Sequence, residues 1–258
     1  MNKITKKKLY IIIIIIIIFV LLIFYIKNNT KDLFSNNSEN SDNNDIIKSF
    51  TNVYETNHWG DNNVKEYKGS SGPGSAFLYN EKTYIPFMNK FIKDYNINSV
   101  VDLGCGDFVI GLALYGHTNI NYTGYDAYKT IVDFNNEKFK DNNRFNFIHS
   151  DFTSEKDRIN LKPADLCVIK DVLQHLPTSI IINFMDYIIK SKKYKYILIT
   201  NCYQNTPENT ENSERKDIKI GDFSSLSALR HPLNMYKPKI LYNWDTKEVS
   251  LIEVQNNS

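Results

Sequence analysis

Only three cysteines occur in the 258 residues, Cys105, Cys167 and Cys202, too few and too far apart for a disulfide scaffold or a cysteine-rich zinc site. An excess of one charge is also missing. Lys and Arg number 31 against 29 Asp and Glu, a net charge of +2, so the basic surplus behind non-specific nucleic-acid binding is absent. No fixed-period repeat or coiled-coil heptad runs through the chain. With 42% hydrophobic residues the chain is not disordered as a whole, and its length allows one domain with at most a small appendage.

One local anomaly stands out. Residues 9–26, LYIIIIIIIIFVLLIFYI, are all apolar or aromatic, and at 1.5 Å per residue they cover roughly 27 Å, close to a bilayer's hydrocarbon thickness. The run lacks the polar face of a core helix, and no small-residue cleavage site follows it, so a single-pass transmembrane signal-anchor is expected. Lys3, Lys6, Lys7 and Lys8 make residues 1–8 a basic flank, whereas Lys27 and Lys31 are accompanied by Asp32 on the far side. That bias places the N-terminus in the cytosol and the remainder across the membrane. Residues 27–46, rich in Asn and Ser, read as a disordered linker, and residues 47–258 as the folded domain.

Beyond the linker two periodicities alternate, as in βαβ units. Residues 98–103 read as a short buried strand that stops at Gly104-Cys105-Gly106. Asp107 or Phe108 opens a helix to about Tyr115, closed by Gly116. Further strands are expected at 120–124, 145–148, 165–169 and 196–200, with helices through Val132 and Phe139 and over 178–189. The runs 240–244 and 248–254 alternate in polarity around a short turn and read as an antiparallel hairpin. An open, mostly parallel sheet closed by that hairpin is the leading architecture.

The chemistry starts at VVDLGCGDF, residues 100–108. Glycines after a strand let the backbone turn sharply and approach a ligand, and the next helix offers free N–H groups. A tight strand-helix turn with no ligand gives the same Gly-x-Gly. The dinucleotide fingerprint wants a third glycine where Val109 stands, which argues against a pyrophosphate and a nicotinamide oxidoreductase. Asp126 ends the second strand 20 residues after Gly106, where a carboxylate accepts both hydroxyls of a ribose. A nucleoside ligand without a diphosphate fits this pair better.

In order, VVDLGCGDF, GYDAY, HSDF and ADLCVIKDVLQHL resemble the four motifs of the class I S-adenosylmethionine-dependent methyltransferases. The resemblance covers roughly residues 99–254. It implies a Rossmann-like α/β sandwich with a mostly parallel seven-stranded sheet and a C-terminal antiparallel hairpin. It also implies S-adenosylmethionine as cofactor and no metal. By that resemblance Gly104, Cys105 and Gly106 line the methionine part, and Asp102 holds its ammonium. Asp126 takes the ribose, Ala127 leaves room beside the adenine, Asp151 faces the adenine amino group and Phe152 lies against the ring. Lys170, followed by Asp171, meets the methionine moiety. Asp151 as a helix cap and Phe152 as core are the structural alternatives. Because the cofactor is made in the cytosol, the cytosolic face is favoured for the domain over the side the lysines suggest.

Methyl transfer from a sulfonium needs an in-line nucleophile and a desolvated centre, and a base only when the acceptor has a proton to shed. His175, four residues past Asp171, is the one near-neutral base expected on that face, and the pair is taken as catalytic. Shaping the pocket is the other role open to His175. Upstream, the SGPGS segment at 71–75 is expected to form a lid. With a late Asp-Ile pair it resembles a little-characterised group of small methyltransferases. Asp217, Asp222 and Arg230 are candidates for binding the substrate, an ordinary solvated loop being the alternative. The acceptor is expected to be a small molecule or an accessible protein side chain, not a long nucleic acid. A non-catalytic cofactor- or partner-binding module at a membrane is the rival in a different class.

Overall fold

The computed structural model describes residues 46–61, 65–203 and 215–254. Helix α1 covers residues 46–55 and is followed, after a 3-10 turn at Pro73–Ser75, by α2 (Phe77–Asn80) and α3 (Tyr84–Asp94). The alternating part then runs β1 (Ser99–Leu103), α4 (Val109–Tyr115), β2 (Asn121–Asp126), α5 (Lys129–Lys138), β3 (Phe145–His149) and α6 (Glu155–Arg158). It continues through β4 (Ala164–Lys170), α7 (Thr178–Lys190) and β5 (Tyr194–Cys202) to a hairpin of β6 (Lys239–Trp244) and β7 (Lys247–Glu253).

The strands form one seven-stranded sheet in the order β3-β2-β1-β4-β5-β7-β6. Neighbours from β3 through β5 pair in parallel, and β7 enters antiparallel to β5 with Ile197 opposite Ile252. Both faces of the central strands are covered, which is why these strands read as unbroken apolar runs. Val100, Leu166, Val168 and Leu198 point into one core with Met88, Phe91, Leu114 and Ile131. Their neighbours Val101, Leu103, Cys167, Ile169, Ile197 and Ile199 point into the other. There α7 presents Ile181, Phe184, Met185 and Ile188, the i, i+3, i+4, i+7 stripe of an amphipathic helix, each almost fully buried. Burial of each such side chain stabilises the fold by about 1.5–3 kcal/mol.

Chain direction leaves one crevice open. After β2 and β3 build outward on one side of β1, the chain crosses to β4 on the other, so connections diverge at the C-terminal ends of β1 and β4. In open α/β sheets this switch point is where ligands bind.

Several boundaries differ from the sequence expectation for identifiable reasons. Helix α4 starts at Val109 because the Asp107 carboxylate accepts from the Val109 amide at 3.1 Å. Phe108 is left-handed, φ 59°, and its ring is buried among Tyr122, Phe139, Phe145 and Phe147. Ile46, placed at the end of the linker, is instead buried in the second core and begins α1.

The membrane reading requires correction. Among the described residues no helix is long and apolar enough to cross a membrane, and the expected anchor at 9–26 lies outside them. The described residues therefore give no support to the transmembrane and signal-anchor assignment, to the membrane as partner or to the single-pass membrane location.

Candidate functional site

The crevice is an open cleft of about 670 Å³, the solvent-open space at its mouth included. Its floor is the turn after β1. Gly104 and Gly106 have φ of 82° and 52°, values that favour glycine, and the Gly104 and Cys105 amides both donate to the Tyr125 carbonyl at 2.8 and 3.1 Å. A Cβ on Gly104 would stand 2.4 Å from a Val172 methyl, so the turn lies against the segment after β4. Asn135 donates to the Gly106 carbonyl at 2.8 Å from α5 and fixes the turn from below. Cys105 also lines the cleft, with its sulfur where a Cβ on Gly124 would stand 2.7 Å away, and burial pushes its pKa well up, so it stays protonated.

Asp126, at the end of β2, is buried and lines the cleft. One carboxylate oxygen accepts from the Gly106 amide and the other from the Tyr128 amide, each at 2.9 Å. Burial raises its pKa, while those amides pull it down. Each oxygen keeps a further lone pair, so the carboxylate can accept from a ligand diol without losing its backbone bonds. Ala127 lies alongside, leaving space where a larger side chain would intrude. Asp102 lies beneath the same turn in an adjoining pocket shared with Gly104, Cys105 and Lys170. Its carboxylate accepts from the Tyr122 hydroxyl at 2.9 Å, and burial pushes its pKa up to about 6.

Asp151 and Phe152 form the far wall. One Asp151 oxygen accepts from the Thr153 amide at 3.0 Å and hydroxyl at 2.7 Å. Ser154, not Asp151, caps α6 by accepting from the Asp157 amide. Phe152 has both of its anticipated surroundings, lining the cleft while packing on Phe184 at 5.3 Å between ring centroids.

The roof is the part that sequence reasoning missed in detail. Ile46, Phe50 and Tyr54 of α1, together with Trp59, close the cleft from above. The signal was available: Ile46, Phe50, Val53 and Tyr54 have the i, i+4, i+7, i+8 spacing of an amphipathic helix. Behind α1 the SGPGS segment sits directly on the glycine turn. The Ser71 hydroxyl accepts from the Asp107 amide at 3.1 Å and pairs with the Tyr54 hydroxyl at 3.1 Å, and a Cβ on Gly106 would stand 2.4 Å from it. Ser71→Ala removes an acceptor and a partner at once. The expected result is a loss of about 1 kcal/mol of stability, with faster amide exchange at Asp107 and across 70–76. Unchanged protection there would mean that Ser71 does not hold the lid.

The end of β4 carries a charged cluster. Asp171, left-handed at φ 60°, pairs with Lys170 at 2.7 Å and with Lys247, which reaches across from β7. Lys170 also donates to the lid carbonyl of Gly74 at 2.7 Å. Burial pushes the Asp171 pKa up, but the two lysines outweigh it and hold the carboxyl below its ordinary value. His175 is likewise committed. Its Nδ1 donates to the Asp222 carbonyl at 2.9 Å, which leaves Nε2 as the acceptor nitrogen. Gln174 accepts from the Cys202 amide through its oxygen at 2.6 Å, which turns its NH2 toward that Nε2 at 3.3 Å. Burial lowers the His175 pKa, and the imidazole is held neutral between Trp59, 4.8 Å away between centroids, and Phe223.

Asp102, Gly104, Cys105, Gly106, Asp126, Ala127, Asp151, Phe152, Lys170, Asp171 and His175 therefore meet at one crevice and its adjoining pocket. The three substrate-binding candidates do not line it. Asp217 accepts from the Thr178 amide at 2.8 Å at the start of α7, Asp222 contributes its carbonyl to His175, and Arg230 lies near Glu248.

No family model and no curated protein matches the sequence. Solved structures match by shape. The N-terminal domain of EvdMO1 with SAH bound aligns at TM-score 0.52 and 11% identity, over 76% of this chain and 90% of that one. PigF with SAH aligns at TM-score 0.52 and 10% identity, over 69% of this chain and 56% of that one. The methyltransferase domain of bacterial CtHen1-C aligns at TM-score 0.50 and 12% identity, over 68% of this chain and 99% of that one. With the strand order, the reversed β7 and the glycine turn at the switch point, the chain has the Rossmann-like class I methyltransferase fold.

Proposed function

We propose that the protein is an S-adenosylmethionine-dependent methyltransferase acting on a small molecule or an accessible side chain. The observation that carries this is the buried Asp126 carboxylate facing the cleft beside the Gly104–Gly106 turn, where it can accept two hydroxyls of a ribose without a diphosphate being needed. The residues present fit the cofactor. Asp126 would hold the sugar, Ala127, Asp151 and Phe152 the adenine, and the glycine turn with Asp102 and Lys170 the amino-acid end. When bound, the cofactor supplies an electrophilic methyl on a sulfonium. The chain's own part is to orient, to exclude water under α1 and the Ser71 lid, and to leave Trp59, Val172 and His175 around the approach to the methyl. The position of the SGPGS segment over the turn also supports the finer resemblance to small methyltransferases with that lid.

Equilibrium titration with S-adenosylmethionine and S-adenosylhomocysteine tests the assignment. Micromolar binding of both is expected, and no binding to either would sink it. Affinity should depend on pH. Asp102 titrates at about 6 in the free protein, where burial favours its neutral form. A bound ammonium favours the ionised form, so affinity should fall as pH drops below about 6 and level off above it. Raised values at Asp126 and Asp151 act in the same direction. Affinity that stays level from pH 5 to 8 would remove the ammonium contact from Asp102.

A further inference from the structure

Both side chains that sequence reasoning made catalytic are already engaged. Asp171 is clasped by Lys170 and Lys247. Both ring nitrogens of His175 have partners, Nδ1 giving its proton to the Asp222 carbonyl and Nε2 receiving the Gln174 NH2. A proton taken up by Nε2 would face that NH2 directly. Of the other groups, Tyr54 is tied to Ser71, and in the cofactor reading Asp126 and Asp151 are given to the sugar and the adenine. At the same place two buried ammonium groups share the single Asp171 carboxylate, their side chains only 11% and 6% exposed. Beside them Phe50, Trp59 and His175 form a continuous ring-lined wall, with centroids 5.9 and 4.8 Å apart.

From the aromatic wall, the occupied bases and the lysine pair we infer that the methyl acceptor is a carboxylate on a flat apolar or aromatic body. This rests on the cofactor reading above. The reaction balances without a base. One carboxylate oxygen forms the new C–O bond to the methyl, the S–CH3 bond breaks with its electron pair passing to sulfur, and the products are a neutral methyl ester and S-adenosylhomocysteine. No proton is released or taken up. The acceptor body stacks on Trp59 and His175, and the net positive charge left by two lysines around the one Asp171 carboxylate draws the anion toward this end of the cleft. Around the acceptor carboxylate the titratable groups are Lys170, Asp171, His175 and, behind them, Lys247. Asp171 is ionised between its two lysines, and the half-buried His175, its pKa lowered by desolvation, is neutral through the neutral range.

The test uses the full chain with methyl-tritiated S-adenosylmethionine and three sets of probes. Benzoate, trans-cinnamate and indole-3-acetate represent the carboxylates; phenethylamine and tryptamine the amines; phenol and catechol the hydroxyls. Label is expected in the carboxylate set, released as methanol by mild alkali, with kcat/KM for the acceptor, at saturating S-adenosylmethionine, flat from about pH 7 to 9 because carboxylic acids are fully ionised there. His175→Gln should change the height of that profile and not its shape. Label confined to amines or phenols overturns the inference, as does a kcat/KM that climbs with pH between about 7 and 9 at saturating S-adenosylmethionine. A chain that binds S-adenosylhomocysteine but labels none of the probes overturns it too. Failure to bind S-adenosylhomocysteine is a different result, which removes the cofactor reading and this inference with it.

Discussion

Alanine at position 126 is expected to weaken S-adenosylhomocysteine binding by about 1–3 kcal/mol, roughly 5- to 150-fold. In the proposed cofactor reading the Asp126 carboxylate accepts from the sugar, and charge-assisted hydrogen bonds in a buried site are stronger than neutral ones. The same change leaves the Gly106 and Tyr128 amides without their 2.9 Å partners, so the ligand-free variant should also unfold at lower temperature. Asp126→Asn separates the two effects. Its amide keeps an acceptor oxygen for one of those N–H groups but loses the charge, so affinity should fall further than stability. Calorimetric titration and thermal melts of both variants give the comparison. Wild-type affinity in Asp126→Ala would take the sugar away from this residue and with it the main support for the cofactor.

Gly104→Ala carries the other large effect. At φ 82° a side chain meets the steric cost of the left-handed region, about 1 kcal/mol or more. The new methyl would also meet the Val172 side chain at 2.4 Å, and overpacking of this kind costs roughly 1–3 kcal/mol. A total loss of about 2–4 kcal/mol is expected in denaturant unfolding, at unchanged slope. Because Val172 can yield only by moving the segment that holds Asp171 and His175, cofactor affinity should fall as well. A variant with native stability and native affinity would show that the turn and the β4 end are not in the contact described. Val172→Ala in the same background should restore part of the loss, since it removes the methyl that the added Cβ strikes.

Much of the fold is legible in the residue pattern alone. Strands such as β4 and β5 are buried on both faces, so their apolar runs are unbroken, and the ends of β1, β2 and β4 are marked by Gly104, Asp126 and Lys170. The hairpin at the C-terminus is visible for the opposite reason, as alternating runs around the turn at Asp245, which is left-handed at φ 47°. Gly104, Gly106, Asp126, Asp151 and Phe152 can be placed at one crevice because parallel topology collects the C-terminal ends of successive strands. Helix α1 is harder to see. It follows an Asn- and Ser-rich stretch, and its apolar spacing makes sense only once a cleft exists for Ile46, Phe50 and Tyr54 to cover. The location of Asp217, Asp222 and Arg230 is out of reach for a similar reason. Sequence order puts them after β5, but an irregular segment has no periodicity from which to read its direction.

Local pattern thus dictated which segments become strands and helices and which strand ends gather at the crevice, because burial and backbone geometry act over a few residues. Tertiary packing alone settled the protonation and engagement of the side chains that gather there. Lys247 and Asp171 are 76 residues apart and His175 and Asp222 are 47 apart, and the charge a group carries depends on such neighbours and on its burial, neither of which is written in the residues beside it.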